Sequence, residues 1–94
     1  MILYKTKEFN KWAKSVILKD LSLMNAVSEM ERGLIDANLG GNLYKKRVAS
    51  FSGGKSGGFR TLIAYKKKGA FFFIYGFEKN ARSNINDKEE AALK

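Results

Sequence analysis

The chain has 94 residues and carries 18 Lys and Arg against nine Asp and Glu, so its formal net charge is +9. It contains no Cys, which excludes disulfides and thiolate chemistry, and no His, which removes the usual acid–base residue near neutral pH. The same absences exclude most transition-metal sites, and we expect neither a metal nor a cofactor. Any catalysis must then use Lys, Arg, Glu, Asp, Tyr or Ser.

The positive charge is concentrated in the middle of the chain. Residues 44–82 carry ten basic side chains and one acidic one, whereas residues 1–43 carry six against five and residues 83–94 carry two against three. A basic surface of this density is typical of proteins that bind a polyanion, most often a nucleic acid. The alternative is a solvated basic face that only aids solubility or binds an acidic protein.

The first half of the sequence predicts a short strand at residues 2–5 and two helices. Thr6 and Asp20 are suited to cap the two helices, each of which has apolar residues at helical spacing. Gly33 lies near the end of the second helix, and Gly40-Gly41 closes the connection that follows. The two apolar stripes, which we assign to core packing, are Phe9, Trp12, Ala13, Val16 and Ile17, and then Leu23, Val27, Met30 and Leu34, with Met24 beside the second stripe.

In the second half of the sequence the hydrophobic period changes to two, which indicates strands. Residues 43–49, 59–66 and 70–77 are predicted to form a three-stranded antiparallel meander, with Lys67-Lys68-Gly69 as the turn between the last two strands. The third strand is apolar on both faces, as expected inside a sheet. Asn86 begins a capping box that predicts a closing helix. Together these elements predict one α+β domain that spans the whole chain.

The segment SFSGGKSGGFR, residues 50–60, resembles a phosphate-binding loop of nucleotide-binding proteins. That motif requires a glycine where this chain has Ala49, and a helix must follow it, whereas a strand-like segment follows here. We therefore reject ATP binding. The glycines instead allow close approach of an RNA backbone, and Lys55 at the tip is a candidate phosphate contact. A flexible hairpin loop with an ordinary solvated lysine explains the segment equally well.

Strand alternation places several cations on one side of the predicted sheet. Lys45 and Arg47 share a face, and Arg60 in the next strand points away from its apolar neighbours. If the apolar faces meet the helices, these three cations lie together on the uncovered side. Lys46 falls between Tyr44 and Val48 on the apolar side, and we expect it to extend to an edge of the sheet.

Three segments of the chain form a combined pattern: LYKKRVA at 43–49, GKSGGFRT at 54–61 and FEKNARSNI at 77–85. Together they resemble the RelE/HigB superfamily of bacterial toxins, above all the branch with a K-R-V-A strand followed by G-K-x-G-G-[YF]-R. The resemblance extends over nearly the whole chain. It implies the small RelE-like fold and a toxin that cleaves mRNA in the ribosomal A site. It also implies a cognate antitoxin, which we expect to lay a helix or strand over the basic face.

The implied reaction suits the available side chains. RNA is cut without a metal when its 2′-OH attacks the adjacent phosphate, which requires a proton acceptor, charge stabilisation and a proton donor. Crowded cations lower one another's pKa, so a lysine among arginines can serve as the base. The resemblance implies phosphate stabilisation by Arg60, phosphate contact by Arg47 and proton transfer by Lys45. The other candidates are Lys79 and Arg82 for catalysis, and Lys46, Lys55 and Asn80 for binding RNA or phosphate.

The sequence also departs from the pattern of this superfamily. Asn80 stands where other members have an arginine, and no tyrosine lies near Asn86 where some have one, so Lys79 or Arg82 would have to compensate. Two other functions stay open. One is a ParE-type toxin, which has the same fold but binds DNA gyrase, although the concentration of Lys and Arg on the meander suits contact with RNA. The other is a non-catalytic RNA-binding module, which exposed aromatic residues would favour, whereas most aromatic residues here are assigned to the core.

No targeting segment is recognisable in the sequence. The N-terminal residues MILYKTKEFNKW lack the pattern of a signal peptide. The longest apolar stretch, residues 70–77, is too short to span a bilayer. We therefore expect a cytoplasmic protein without a membrane partner.

Overall fold

The structure, a computed structural model, describes residues 2–49, 58–66 and 69–78. Two helices and five strands make up an α+β fold, which confirms the predicted fold class. The glycine loop, Lys67 and Lys68, and the predicted closing helix lie outside the described residues. The elements in chain order are β1 (Ile2–Lys5), α1 (Lys7–Ser15), α2 (Asp20–Glu31), β2 (Ala37–Gly40), β3 (Leu43–Val48), β4 (Phe59–Lys66) and β5 (Ala70–Glu78).

The five strands form one mixed sheet in the order β1-β5-β4-β3-β2. Strand β4 pairs antiparallel with β3 on one side and with β5 on the other, which confirms the predicted meander. The opening strand β1 pairs parallel with β5, so the last described strand is enclosed by β1 and β4. This interior position agrees with the apolar character of both faces of β5.

Strand β2 was not predicted from the sequence. Its residues, ANLG, pair antiparallel with the start of β3, so that Gly41 and Asn42 form a hairpin turn instead of a connection from a helix. Both turn residues have positive φ, 61° and 62°, as two-residue hairpin turns require. Asn and Gly are poor strand formers, and pairing with β3 outweighs that local preference.

Helix α1 begins as predicted but ends earlier. The Thr6 side chain accepts a hydrogen bond from Phe9 N–H at 3.0 Å, which confirms it as the N-cap. The helix ends at Ser15, and Ile17 lies outside the stripe with φ 56° and 65% exposure. Leu18 N–H donates to Ala13 O at 2.8 Å, and this helix-ending motif turns Leu18 into the core in place of Ile17.

Helix α2 starts one residue before the predicted position. Lys19 is the N-cap and makes no side-chain capping bond, so the assignment of Asp20 as the cap is wrong. Asp20 lies in the first turn, where a negative charge suits the helix dipole, and it accepts a hydrogen bond from Lys5 Nζ at 2.7 Å. Within the described ranges, no helix is long and apolar enough to cross a membrane.

The predicted stripe of α2 is only partly correct. Leu23 and Val27 are fully buried, and Ala26 joins them. Met24 and Leu34 are exposed by 49% and 54%, because Met24 lies beside the buried stripe and Leu34 follows the end of the helix. Helix α2 therefore buries a shorter apolar stripe in the core than the sequence predicts.

The main hydrophobic core lies between the two helices and one face of the sheet. Phe9 of α1 packs against Phe73 of β5 with ring centroids 5.2 Å apart, and Trp12 meets Phe59 of β4 edge-on at 5.4 Å. Gly76 of β5 lies directly beneath the Trp12 ring. Helix α1 is thus held on the sheet by aromatic contacts to β4 and β5.

The opposite face of the sheet carries a second, smaller hydrophobic cluster. Leu43, Leu62 and Phe77 are each at most 5% exposed, and Tyr75 packs against them. Among the described residues, this cluster contains none from α1 or α2. These apolar residues alternate along β3, β4 and β5 with side chains of the main core, so the meander has buried side chains on both of its faces.

We expect Gly76→Ala to destabilise the protein by about 2 kcal/mol, because the added Cβ would overlap three atoms of the Trp12 ring. Chemical denaturation measures the loss. In a Trp12→Leu background, where the ring is absent, the same substitution should cost much less. Equal losses in the two backgrounds would show that the ring is not the obstacle.

Candidate nucleic-acid interface

Two arginines face each other across β3 and β4. Arg47 is directly opposite Arg60 in the antiparallel register, so both side chains leave the same face of the sheet. The Cβ atoms of such pairs are about 5 Å apart, and like charges at that separation are destabilising. Stability therefore does not explain the pair, whereas a bound anion between the two guanidinium groups would.

Lys45 extends this arrangement along β3. It is opposite Leu62 of β4, which places it on the same face as Arg47 and diagonal to Arg60. Diagonal neighbours in an antiparallel pair are about 7–8 Å apart. We refer to Lys45, Arg47 and Arg60 as the cation cluster. The alternation predicted from the sequence is correct for these three residues.

Arg60 is less exposed to solvent than Arg47. Its Nη1 atom is buried, and it has no hydrogen-bond partner within the described part of the chain. On its other side, Arg60 is directly opposite Phe77 of β5, which is 5% exposed. An unsatisfied buried donor costs about 1–3 kcal/mol, and more when it is charged. Such an atom is typical of a site that is completed by a ligand.

Arg47 is held by a carboxylate that the sequence analysis missed. Its Nε atom lies 3.3 Å from Oδ2 of Asp36, and the side chain of Arg47 is 48% exposed. Asp36 directly precedes β2. Because β2 was not predicted, nothing in the sequence placed this aspartate beside Arg47. Only the pairing of β2 with β3 brings them together.

The remaining candidate site residues cannot be placed relative to the cation cluster. Lys55, Lys79, Asn80 and Arg82 lie outside the described residues. Among the residues that are described, no group of three or more acidic side chains is arranged to hold a metal ion.

One cavity in the described part of the chain is separate from the cation cluster. It has a volume of about 440 Å³ and lies among Met30, Tyr44, Tyr65 and Phe71, on the helix side of the sheet. Tyr65 is five residues from Arg60 along β4, so the cavity lies near the other end of the strand. A smaller cavity of about 130 Å³ lies between α2 and the end of β3, and Arg47 lines it.

Comparison with known proteins identifies the family. Over residues 1–94 the chain matches the family described as RelE toxin of the RelE/RelB toxin–antitoxin system. The chain belongs to the RelE toxin family. The resemblance found in the sequence is thereby confirmed. No curated protein matches the chain. Membership makes the protein a toxin of a toxin–antitoxin system, with a cognate antitoxin as its partner.

Lys46 of the toxin does not lie where the sequence predicted. Its side chain is 3% exposed and donates to Glu29 Oε1 of α2 at 2.7 Å, so it does not extend to an edge of the sheet. The carboxylate of Glu29 draws the ammonium group inward, on the side opposite the cation cluster. Thr61, opposite Lys46, donates to its backbone oxygen at 2.9 Å. Lys46 thus anchors β3 to α2 and is not available to bind phosphate.

We expect Glu29→Ala to destabilise the toxin by about 3 kcal/mol, because it leaves the Lys46 ammonium group buried without its carboxylate. The control is Asp20→Ala, which removes the exposed pair with Lys5 and should cost less than about 1 kcal/mol. Urea denaturation of both variants measures the difference. Similar small losses would mean that Lys46 reaches water when Glu29 is absent.

Proposed function

We propose that this toxin is an endoribonuclease that cleaves mRNA in the ribosomal A site and so arrests translation in the cytoplasm. RelE-family toxins are generally endoribonucleases, which supports this class of activity. The observation that carries the proposal is the opposed pair Arg47 and Arg60, with Nη1 of Arg60 buried and unsatisfied among the described residues. A phosphate is the anion that would satisfy this donor.

The proposed reaction is cleavage by the 2′-hydroxyl of the RNA itself. The 2′-oxygen forms a bond to the adjacent phosphorus while the bond from phosphorus to the 5′-oxygen breaks. The 2′-hydroxyl gives up its proton to a base, and the 5′-oxygen receives a proton from an acid. The products are a 2′,3′-cyclic phosphate and a 5′-hydroxyl. Negative charge builds on the phosphate oxygens, and preformed cationic donors lower the energy of that state.

The cation cluster supplies groups for charge stabilisation and for one of the two proton transfers. Arg60 stabilises the phosphate in the transition state, because its partly buried guanidinium group interacts more strongly than a solvated one. Arg47 contacts the same phosphate from β3, and Lys45, diagonal to Arg60, transfers a proton. Further candidates to complete the site are Lys55, Lys79, Asn80 and Arg82. Lys46 is excluded by its ion pair with Glu29.

The cognate antitoxin would inhibit by covering the cation cluster. An antitoxin segment with acidic side chains fits this surface, since complementary charge favours association with a protein of net charge +9. Such a segment would occupy the position proposed for the RNA phosphate. The antitoxin and the RNA would then compete for the same arginines.

Arg60→Ala should lower the rate of mRNA cleavage at least a hundredfold, the scale seen when a donor that stabilises the transition state is lost. Primer extension on a defined mRNA, with and without translating ribosomes, measures the cuts. Lys7→Ala is the matched control, because it removes one positive charge from the exposed start of α1. It should leave cleavage unchanged, and thermal melting should show that both variants fold.

The outcome discriminates between the possible functions. Cuts in codon register that require both ribosomes and Arg60 would support the nuclease. A folded, toxic protein that makes no cuts would contradict it and favour a protein target such as gyrase. Binding of RNA without cutting, by wild type and Arg60→Ala alike, would favour a non-catalytic module.

A further inference from the structure

Asp36 lies beside the cation cluster but has no part in the proposed chemistry. Its backbone N–H donates to the carbonyl oxygen of Lys45 at 3.1 Å, which extends the β2–β3 ladder by one bond. The position of the aspartate is thus tied to the strand that carries Lys45 and Arg47. This bond fixes the backbone from which the carboxylate reaches Arg47.

The side chain of Asp36 lies at the Nε atom of Arg47. Oδ2 is 3.3 Å from Nε, the donor nearest the aliphatic stem. Although the residue as a whole is exposed, its side chain is only 22% exposed, so the carboxylate is the shielded part. The Arg47 side chain remains 48% exposed. The carboxylate is therefore more shielded from solvent than the side chain of Arg47.

The geometry of a guanidinium group explains what such a contact can do. Its five N–H donors lie in one plane, and a carboxylate at Nε leaves the end with the two terminal nitrogens for a second anion. That end can bind a phosphate through two parallel hydrogen bonds. A half-exposed ion pair contributes at most about 1 kcal/mol to stability. Orientation of Arg47 is therefore the larger effect available to Asp36.

We propose that Asp36 is a positioning residue that acts through Arg47. It holds the guanidinium plane at Nε so that the two terminal nitrogens face the phosphate at which charge develops. The proposal rests on the nuclease function proposed above. It assigns a role to a residue that touches neither the RNA nor the reacting atoms.

The negative charge of Asp36 should also have a second effect, which acts against RNA binding. This charge repels RNA, so removal of the charge alone should strengthen binding and lower KM. Loss of orientation should instead lower kcat, because a misplaced Arg47 stabilises the transition state less than a correctly placed one, while binding of the substrate changes little. The two effects appear in different kinetic constants. A role in orientation can therefore be separated from simple electrostatics.

The test is steady-state cleavage of ribosome-bound mRNA by the intact toxin and its Asp36→Asn variant. We expect kcat to fall roughly tenfold with KM unchanged or lower, and Asp36→Glu to recover part of the loss. Asp20→Asn is the matched control, since it removes the same charge from an ion pair with Lys5 on another element. That control should leave kcat unchanged. Thermal melting should show no loss of folding in any of these variants.

A double-mutant cycle tests whether Asp36 acts through Arg47. In an Arg47→Ala background, Asp36→Asn should cause no further fall in kcat, because the group that it orients is absent. An undiminished effect in that background, or an unchanged kcat in Asp36→Asn alone, would overturn the role of Asp36 and leave the nuclease intact. A wild-type toxin that cuts no mRNA would instead overturn the nuclease, and with it this proposal.

Discussion

The structure depends on the register between β3 and β4. This pairing sets Arg47 opposite Arg60 and leaves Lys46 opposite Thr61 on the other face. Because side chains alternate with a period of two, a slip of one residue would turn the arginines toward the helices and expose the apolar side chains. The cation cluster and the main core are thus two consequences of the same hydrogen bonds. Neither can be altered without effect on the other.

Interactions on both faces of the sheet oppose such a slip. On the helix side, the buried pair of Lys46 and Glu29 joins β3 to α2. On the opposite side, Leu43, Leu62 and Phe77 form the second hydrophobic cluster beside the cations. These contacts offset the repulsion of two arginines placed opposite each other, which is destabilising in isolation. The site therefore maintains an unfavourable charge arrangement because the strands beneath it are held from both sides.

The places where sequence and structure differ have a common physical cause. Ile17 fits the apolar spacing of α1, yet the chain turns at that point, and Leu18 enters the core instead. β2 has poor strand propensity and forms only because β3 offers it an edge. Lys46 is buried because α2 brings a carboxylate to it. In each case a contact between residues distant in sequence, or a particular chain reversal, outweighs the local pattern.

The sequence by itself determined the α+β class, both helices, the three-stranded meander and the shared face of Lys45, Arg47 and Arg60. These features follow from hydrophobic periodicity and strand alternation, which depend on near neighbours in the chain. The tertiary structure alone decided that β1 and β2 pair at the two ends of the meander, that Arg47 is directly opposite Arg60, and that Asp36 and Glu29 are the partners of Arg47 and Lys46. Register and long-range ion pairs depend on how separate elements pack, and periodicity carries no information about that.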